Sequence, residues 1–251
     1  MRIIARLDIK NKNLIKGINL EGLKIVGNPN EYAVKYFNEG IDEILLMDVV
    51  ASLYGRNNLL DIINLATKDI FIPITVGGGI RSLEDAKKIF LSGADKIAIN
   101  TAAVKKPNLI NQLSKKFGSQ SIVLSIEAKK IDTNKWEVFT ENGRQETGID
   151  VLNWSKEAAK RGVGEILLTS IDMEGTKKGF DFKLVELVSN NVNVPVIASG
   201  GFGKPEHLIS LSKTSSVSAV AIADAFHFNR CSIKELKKKA LKEKLKMSLF
   251  I

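Results

Sequence analysis

The chain has 251 residues, 44% of them hydrophobic, with 37 Lys and Arg against 28 Asp and Glu, giving a formal net charge of +9. That size suits one closed α/β barrel or two ordinary domains; the lysines are scattered, densest at Lys237, Lys238 and Lys239, which fits the solvent face of a last helix rather than a nucleic-acid track. The lone Cys231 excludes an intrachain disulfide, MRIIARLDIK is too short and charged for a signal peptide, and no run approaches the roughly 20 apolar residues of a membrane span, so a cytoplasmic protein with no membrane contact is expected.

In chain order, short β-branched runs at residues 3–9, 43–47, 72–76, 96–99, 122–126, 165–168, 194–198 and 217–222 alternate with longer stretches. Some of these, such as 83–91 and 155–161, carry apolar residues at helical spacing. Alternation of this kind implies βαβ units and a parallel sheet, and eight units imply a closed (β/α)8 TIM barrel, read as one domain over 1–251. Two stretches break the pattern. Residues 10–28 are long, glycine-bearing and without clear periodicity, and are expected as a loop that closes over substrate. Residues 131–148 contain WEVFT followed by ENGR, which predicts a small hairpin.

The chain also echoes itself. DEILLMDV at 42–49 matches GEILLTSI at 164–171, and IPITVGGGIRSLEDA at 72–86 matches VPVIASGGFGKPEHL at 194–208. LDIK at 7–10 matches IEAK at 126–129. Three segments in register at an offset of about 120 residues predict two duplicated half-barrels, about 1–120 and 121–251.

In such barrels chemistry collects at the C-terminal ends of the strands. Asp8 and Glu127 hold matching places there in the two halves. Facing carboxylates can serve as general acid and general base if their environments split their pKa values. Either could instead cap a loop or pair with Lys10 or Lys129. The glycines at 77–79 and the Ser199–Gly200–Gly201 run follow the third and seventh strands. Glycine lets a phosphate approach backbone N–H groups. Two copies predict two anion sites and an elongated substrate phosphorylated at both ends, with Asn100 and Thr101 completing the first. No His/Cys cluster offers a metal site, no cofactor is implied, and His207 and His227 are expected to pack or lie at the surface. Near the strand starts, Arg2, Glu43, Lys96 and Glu165 alternate in sign. They could point to solvent, or form a paired ring across the barrel axis that gates its interior.

The segments RLDIKN, LIKGINLEGL, TVGGGIRS, GADKIAINTAAV, FGSQSIVLSIEAKK, GEILLTSI, EGT, VPVIASGGFG and FHF together resemble the cyclase subunit family of imidazole glycerol phosphate synthase, from about Arg2 to Leu241. The resemblance implies a glutaminase subunit docked at the N-terminal barrel face. Ammonia would pass the Arg2–Glu43–Lys96–Glu165 gate and react with a bisphosphorylated ribulosyl intermediate. The products would be imidazole glycerol phosphate and aminoimidazole carboxamide ribotide. It implies acid–base work by Asp8 and Glu127, a clamp at Lys16, and substrate or phosphate contacts at Gly78, Gly79, Asn100, Thr101, Glu174, Gly175, Ser199, Gly200, Gly201 and Asp224. Four positions depart from the family's pattern. Glu127 and Glu174 stand where aspartates are usual, Arg6 replaces a small residue, and Asp224 replaces a serine. All four fall on the substrate face. Two other readings follow from them: a paralogue that channels ammonia to a sugar amidotransferase of surface-polysaccharide synthesis, and a non-catalytic ammonia conduit.

Overall fold

The structure, a computed structural model, describes residues 1–51 and 59–247. Eight parallel strands close a barrel: β1 (Arg2–Lys10), β4 (Glu43–Asp48), β5 (Ile74–Gly77), β6 (Lys96–Ile99), β7 (Ile122–Asp132), β10 (Glu165–Ser170), β11 (Val196–Ser199) and β12 (Ala219–Ile222). Each pairs with the next in that order, β12 pairs back to β1, and this is the expected (β/α)8 barrel. Helices wrap the outside: α1 (Pro29–Asn38), α2 (Leu60–Asp69), α3 (Leu83–Leu91), α4 (Thr101–Lys105), α5 (Asn108–Phe117), α6 (Val151–Arg161), α7 (Phe182–Ser189), α8 (Pro205–Thr214), α9 (Asp224–His227) and α10 (Ile233–Lys242). Three strands start two residues later than the apolar runs suggest. Ile72, Val194 and Val217 lie ahead of the ladder but still pack on the core. Pro73 and Pro195 precede the ladder and contribute only carbonyls, accepting from Ile44 and Ile166 at 3.0 and 2.9 Å.

The period of two along each strand sorts side chains into two cores. On β1, Ile3, Ala5, Leu7 and Ile9 face the helices. Ile4 faces the barrel interior, with Leu45, Met47, Ala98, Val123, Leu167, Ile197, Ala219 and Ala221. Arg2, Arg6 and Asp8 share the parity of Ile4. The axis therefore runs from a charged floor, through an apolar middle with small alanines, to a polar mouth.

Residues 10–28 are not an irregular loop. They form a hairpin, β2 (Asn13–Ile18) and β3 (Glu21–Gly27), antiparallel to the overhanging end of β1. Register shifts at Leu14/Ile15 and Lys16/Ile18 break the alternation, so Leu14, Ile15 and Lys16 are all buried in succession. That is why the sequence shows no period. After β7, a second hairpin, β8 (Lys135–Thr140) and β9 (Gln145–Asp150), occupies the stretch where one was expected and is longer than predicted.

On α10, Lys238 and Lys239 are exposed as expected, but Lys237 is half-buried and bonds Asp42 at 2.5 Å, tying the last helix to the start of β4. Cys231 is buried, which raises its thiol pKa. Among the described residues no helix is long and apolar enough to cross a membrane.

Candidate active site

At the floor, Arg2, Glu43, Lys96 and Glu165 form a closed ring of four ion pairs. Arg2 bonds Glu43 at 2.6 Å and also pairs with Glu165. Lys96 bonds Glu43 at 2.5 Å and Glu165 at 3.1 Å. Each glutamate, almost wholly buried, thus accepts from both cations, the condition under which buried charge is tolerated.

At the mouth, Asp8 and Glu127 sit on β1 and β7, four strands apart whichever way the barrel is traversed. Their surroundings differ. Asp8 accepts from Arg6 Nε at 2.8 Å, and Lys16 Nζ lies 3.9 Å from its other oxygen. Burial opposes its charge, but the Arg6 guanidinium and the Lys16 ammonium prevail and hold its carboxyl below the usual range. Among the described residues Glu127 has no cation in contact. It accepts from Asn100 Nδ2 at 3.1 Å and from the Gly143 backbone N–H at 2.8 Å. Burial dominates and pushes its carboxyl up to about 7. At neutral pH Asp8 is an ionised carboxylate, while Glu127 is poised to give or take a proton.

The two anion sites predicted by the glycine runs are unequal. The first is a cavity of about 240 Å³ lined by Gly78, Gly79, Asn100, Thr101 and Glu127, with Arg81, Lys105 and Lys106 supplying cations. Gly78 is required here: its φ is +102°, and a Cβ would meet the Asp48 carbonyl oxygen at 2.3 Å. The second, lined by Arg6, Glu174, Gly175, Ser199, Gly200, Gly201 and Asp224, encloses only about 20 Å³. Gly201 has a φ of +95° and carries the Gly179 carbonyl 1.9 Å from where a Cβ would stand.

The cause of the inequality is side-chain filling. Arg6 Nη1 donates to Thr169 Oγ1 at 2.9 Å and to Ser199 Oγ at 3.2 Å, crossing the mouth from β1 to β10 and β11. Lys16 pairs with Glu174, and Asn19 N–H donates to the Glu174 carbonyl at 2.8 Å, which docks the β2–β3 hairpin. Asp224 is turned toward Arg230, with which it pairs, and toward Lys177 at 4.0 Å. Asp8 and Lys16 line neither cavity and reach the second only through Arg6 and Glu174.

Sequence reasoning did not assign several groups that the fold brings in. Arg81, Lys105 and Lys106 line the large cavity, Asn142 joins them, and Gly143 bonds Glu127. The ENGR turn carried that signal, since Glu141, Asn142 and Gly143 all have positive φ and form a tight turn aimed back at β7. Asn100 proves to orient Glu127, and its Nδ2 also donates to the Phe139 carbonyl at 3.0 Å. Thr101 Oγ1 accepts from the Glu141 N–H at 3.1 Å. His227 is buried and shares a 2.7 Å hydrogen bond with the Tyr36 hydroxyl; burial pushes its pKa down to about 4. Among the described residues, no group of three His, Cys, Asp or Glu side chains could hold a metal ion.

Opposed carboxylates of unequal proton affinity at the C-terminal mouth of a (β/α)8 barrel are the arrangement by which enzymes of this fold carry out acid–base chemistry. Comparison with known proteins narrows the class. Residues 2–232 match the family model described as histidine biosynthesis protein, and the chain belongs to that family. A relative in Legionella pneumophila, "Imidazole glycerol phosphate synthase subunit HisF", is 61% identical over 206 residues, 82% of this chain and 97% of its own. Proteins of the same name in Hydrogenobaculum sp. (strain Y04AAS1) and Bacillus cereus (strain Q1) are 48% and 44% identical. They align over 94% and 95% of this chain, and over 94% of their own length in each case.

Proposed function

We propose that the chain is the cyclase subunit of imidazole glycerol phosphate synthase, acting in histidine biosynthesis beside a glutaminase subunit. The observation that carries the mechanism is the split pair. An amine adding to a carbonyl must lose a proton, and the departing oxygen must gain one. Asp8, ionised, takes the proton from the attacking ammonia nitrogen; Glu127, protonated up to about pH 7, gives one to the leaving group. The large cavity receives one phosphate of the ribulosyl intermediate against Gly79, Thr101, Arg81 and Lys105. The second phosphate goes to the Gly175, Ser199 and Gly201 side.

The glutaminase docks on the N-terminal face, where the ion-pair ring is the entrance. Neutral ammonia then travels along the apolar interior past Leu45, Ala98, Ala219 and Ala221. The duplicated halves account for the repeated devices: Asp8 and Glu127, Glu43 and Glu165, Gly78 and Gly200. A lone buried thiol suits a reducing cytoplasm.

One observation favours a second reading. Arg6 locks Asp8 and narrows the second site to about 20 Å³, as expected of a subunit that passes ammonia to a sugar amidotransferase. Purified chain incubated with ammonium salt and the ribulosyl aminoimidazole intermediate separates the two. Loss of the intermediate with release of the carboxamide ribotide is expected. No turnover, together with stimulation of a glutaminase, overturns the cyclase reading and leaves the channelling one.

A further inference from the structure

Arg6 is a buried cation for which the reaction just described has no use. The residue is 2% exposed, on the inward face of β1, and directs Nε to Asp8 and Nη1 to Thr169 and Ser199. A guanidinium carries five N–H donors. Among the described residues, Nη2 donates to no protein acceptor, and the group forms part of the wall of the small cavity. Gly175, Gly200 and Gly201 line the same cavity, all at positive φ, so no Cβ screens the backbone there. The acids nearby are already compensated, Glu174 by Lys16 and Asp224 by Arg230. What is left over is a cationic fork whose free edge faces a glycine-lined cleft. Such a fork matches a phosphate or carboxylate in two-point contact.

The cavity of about 20 Å³ has room for roughly one water, not for a phosphate. An anion can enter only if the guanidinium gives way, and its firmest bond is to Asp8. We propose that Arg6 is the ligand for the second anionic group of the substrate and that anion binding there draws Arg6 off Asp8, so the general base is released only when both ends of the substrate are seated. This rests on the cyclase reading and deepens it. With the site empty, Asp8 is neutralised and its lone pairs are engaged. With the anion bound, Arg6 shares its donors with the phosphate, and Asp8 regains the proton affinity needed to deprotonate the attacking nitrogen. The groups that face Asp8 are Arg6 beside it on β1, Lys16 on β2 and His227 on α9, with Glu174 next to Lys16 and Glu127 across the mouth on β7. Of the cations among them, only Arg6 also lines the cleft.

The test uses the whole chain and its Arg6→Met and Arg6→Lys variants in two arms. In the first arm, inorganic phosphate is titrated by calorimetry. Wild type is expected to bind two equivalents, Arg6→Met one, and Arg6→Lys two, with the second weakened about tenfold by loss of two-point contact. In the second arm, turnover of the bisphosphorylated intermediate is compared with that of an analogue lacking the second phosphate. Arg6→Met is expected to raise KM about tenfold or more for the first substrate and leave it unchanged for the second. It should also move the acidic limb of kcat/KM to higher pH, with Arg6→Lys restoring that limb. Equal phosphate stoichiometry in wild type and Arg6→Met overturns the proposal, as does an equal KM change for both substrates. If wild type shows no turnover but the stoichiometry changes as expected, the cyclase reading fails and Arg6 stands as an anion ligand.

Discussion

The halves of the barrel contribute matching residues to both ends of its axis, yet the ends behave differently. At the floor one glutamate from each half plays the same part: Glu43 and Glu165 each bridge Arg2 and Lys96, both cations of the first half. At the mouth they diverge. The Glu127 side opens into about 240 Å³ with an uncompensated carboxylic acid; the Asp8 side holds about 20 Å³ and is filled by the Arg6–Asp8 and Lys16–Glu174 pairs. The same backbone plan therefore yields two like glutamates where two cations are shared, and two carboxylates of unequal proton affinity where one is given cations and the other is not. Position within the fold does not set a carboxylate's chemistry; its neighbours do.

The contrast is broken most severely by removing Asp8. Asp8→Asn is expected to lower ammonium-dependent turnover by about 10³-fold. It also leaves Arg6 and Lys16 buried with one anion fewer, so stability falls by several kcal/mol, on the order of 3. Glu127→Gln copies the protonated acid in shape and charge. Turnover drops, but stability at pH 6 stays within about 0.5 kcal/mol of wild type. Turnover assays beside urea denaturation check both, and equal destabilisation by the two changes would show that the sides are not different environments.

Next in size is the effect of pH. If Glu127 must be protonated, kcat/KM falls roughly tenfold per unit above pH 7, so about a hundredfold by pH 9. Stability carries the same signature with opposite contributions. Glu127, raised from 4.5 to about 7, favours the fold in its protonated state, so its contribution is full below the unfolded value and declines as pH rises from about 4.5 to 7. Asp8, lowered by Arg6 and Lys16, stabilises above its ordinary value and loses that contribution as pH falls through its folded one. Urea midpoints at pH 5 and pH 8 should therefore differ less in Glu127→Gln than in wild type.

The floor should respond symmetrically. Glu43→Gln and Glu165→Gln are expected to reduce glutamine-dependent turnover in the presence of the glutaminase by similar factors, about tenfold each, because each breaks two bonds of one ring. Turnover with ammonium salt should change less than about threefold. Unequal effects would mean that the ring is not a single unit.

How much of this could be read from the chain follows the same division. The strand periods predicted the barrel, and the alternating floor charges left two readings, side chains in solvent or a paired ring, of which the structure shows the ring. The β2–β3 hairpin was hidden because bulges at Leu14/Ile15 and Lys16/Ile18 erase the period of two. The unequal mouth was hidden for another reason. The GGG and SGG runs look alike, and what separates the two sites is a side chain four strands from Glu127, Arg6, whose reach to Thr169 and Ser199 exists only once the barrel closes. The departures at Arg6, Glu174 and Asp224 could be located in sequence. Their pairing with Asp8, Lys16 and Arg230 could not.

Asp224 gives the smallest and most selective test. An acid at the proposed second anion site should repel a phosphate, yet here the carboxylate is held by Arg230, with Lys177 at 4.0 Å. Arg230 is exposed, so the pair is screened and its net effect is at most about 1 kcal/mol. Asp224→Ser removes the repulsion but also frees Arg230 to approach the second anion site. Both changes act in the same direction, so KM for the bisphosphorylated substrate is expected to fall up to about fivefold with kcat unchanged. The gain should shrink in high salt, as a screened exposed charge requires. A rise in KM would mean that Asp224 holds Arg230 in place as part of the binding surface, making the narrow side of the mouth more complete than its volume suggests.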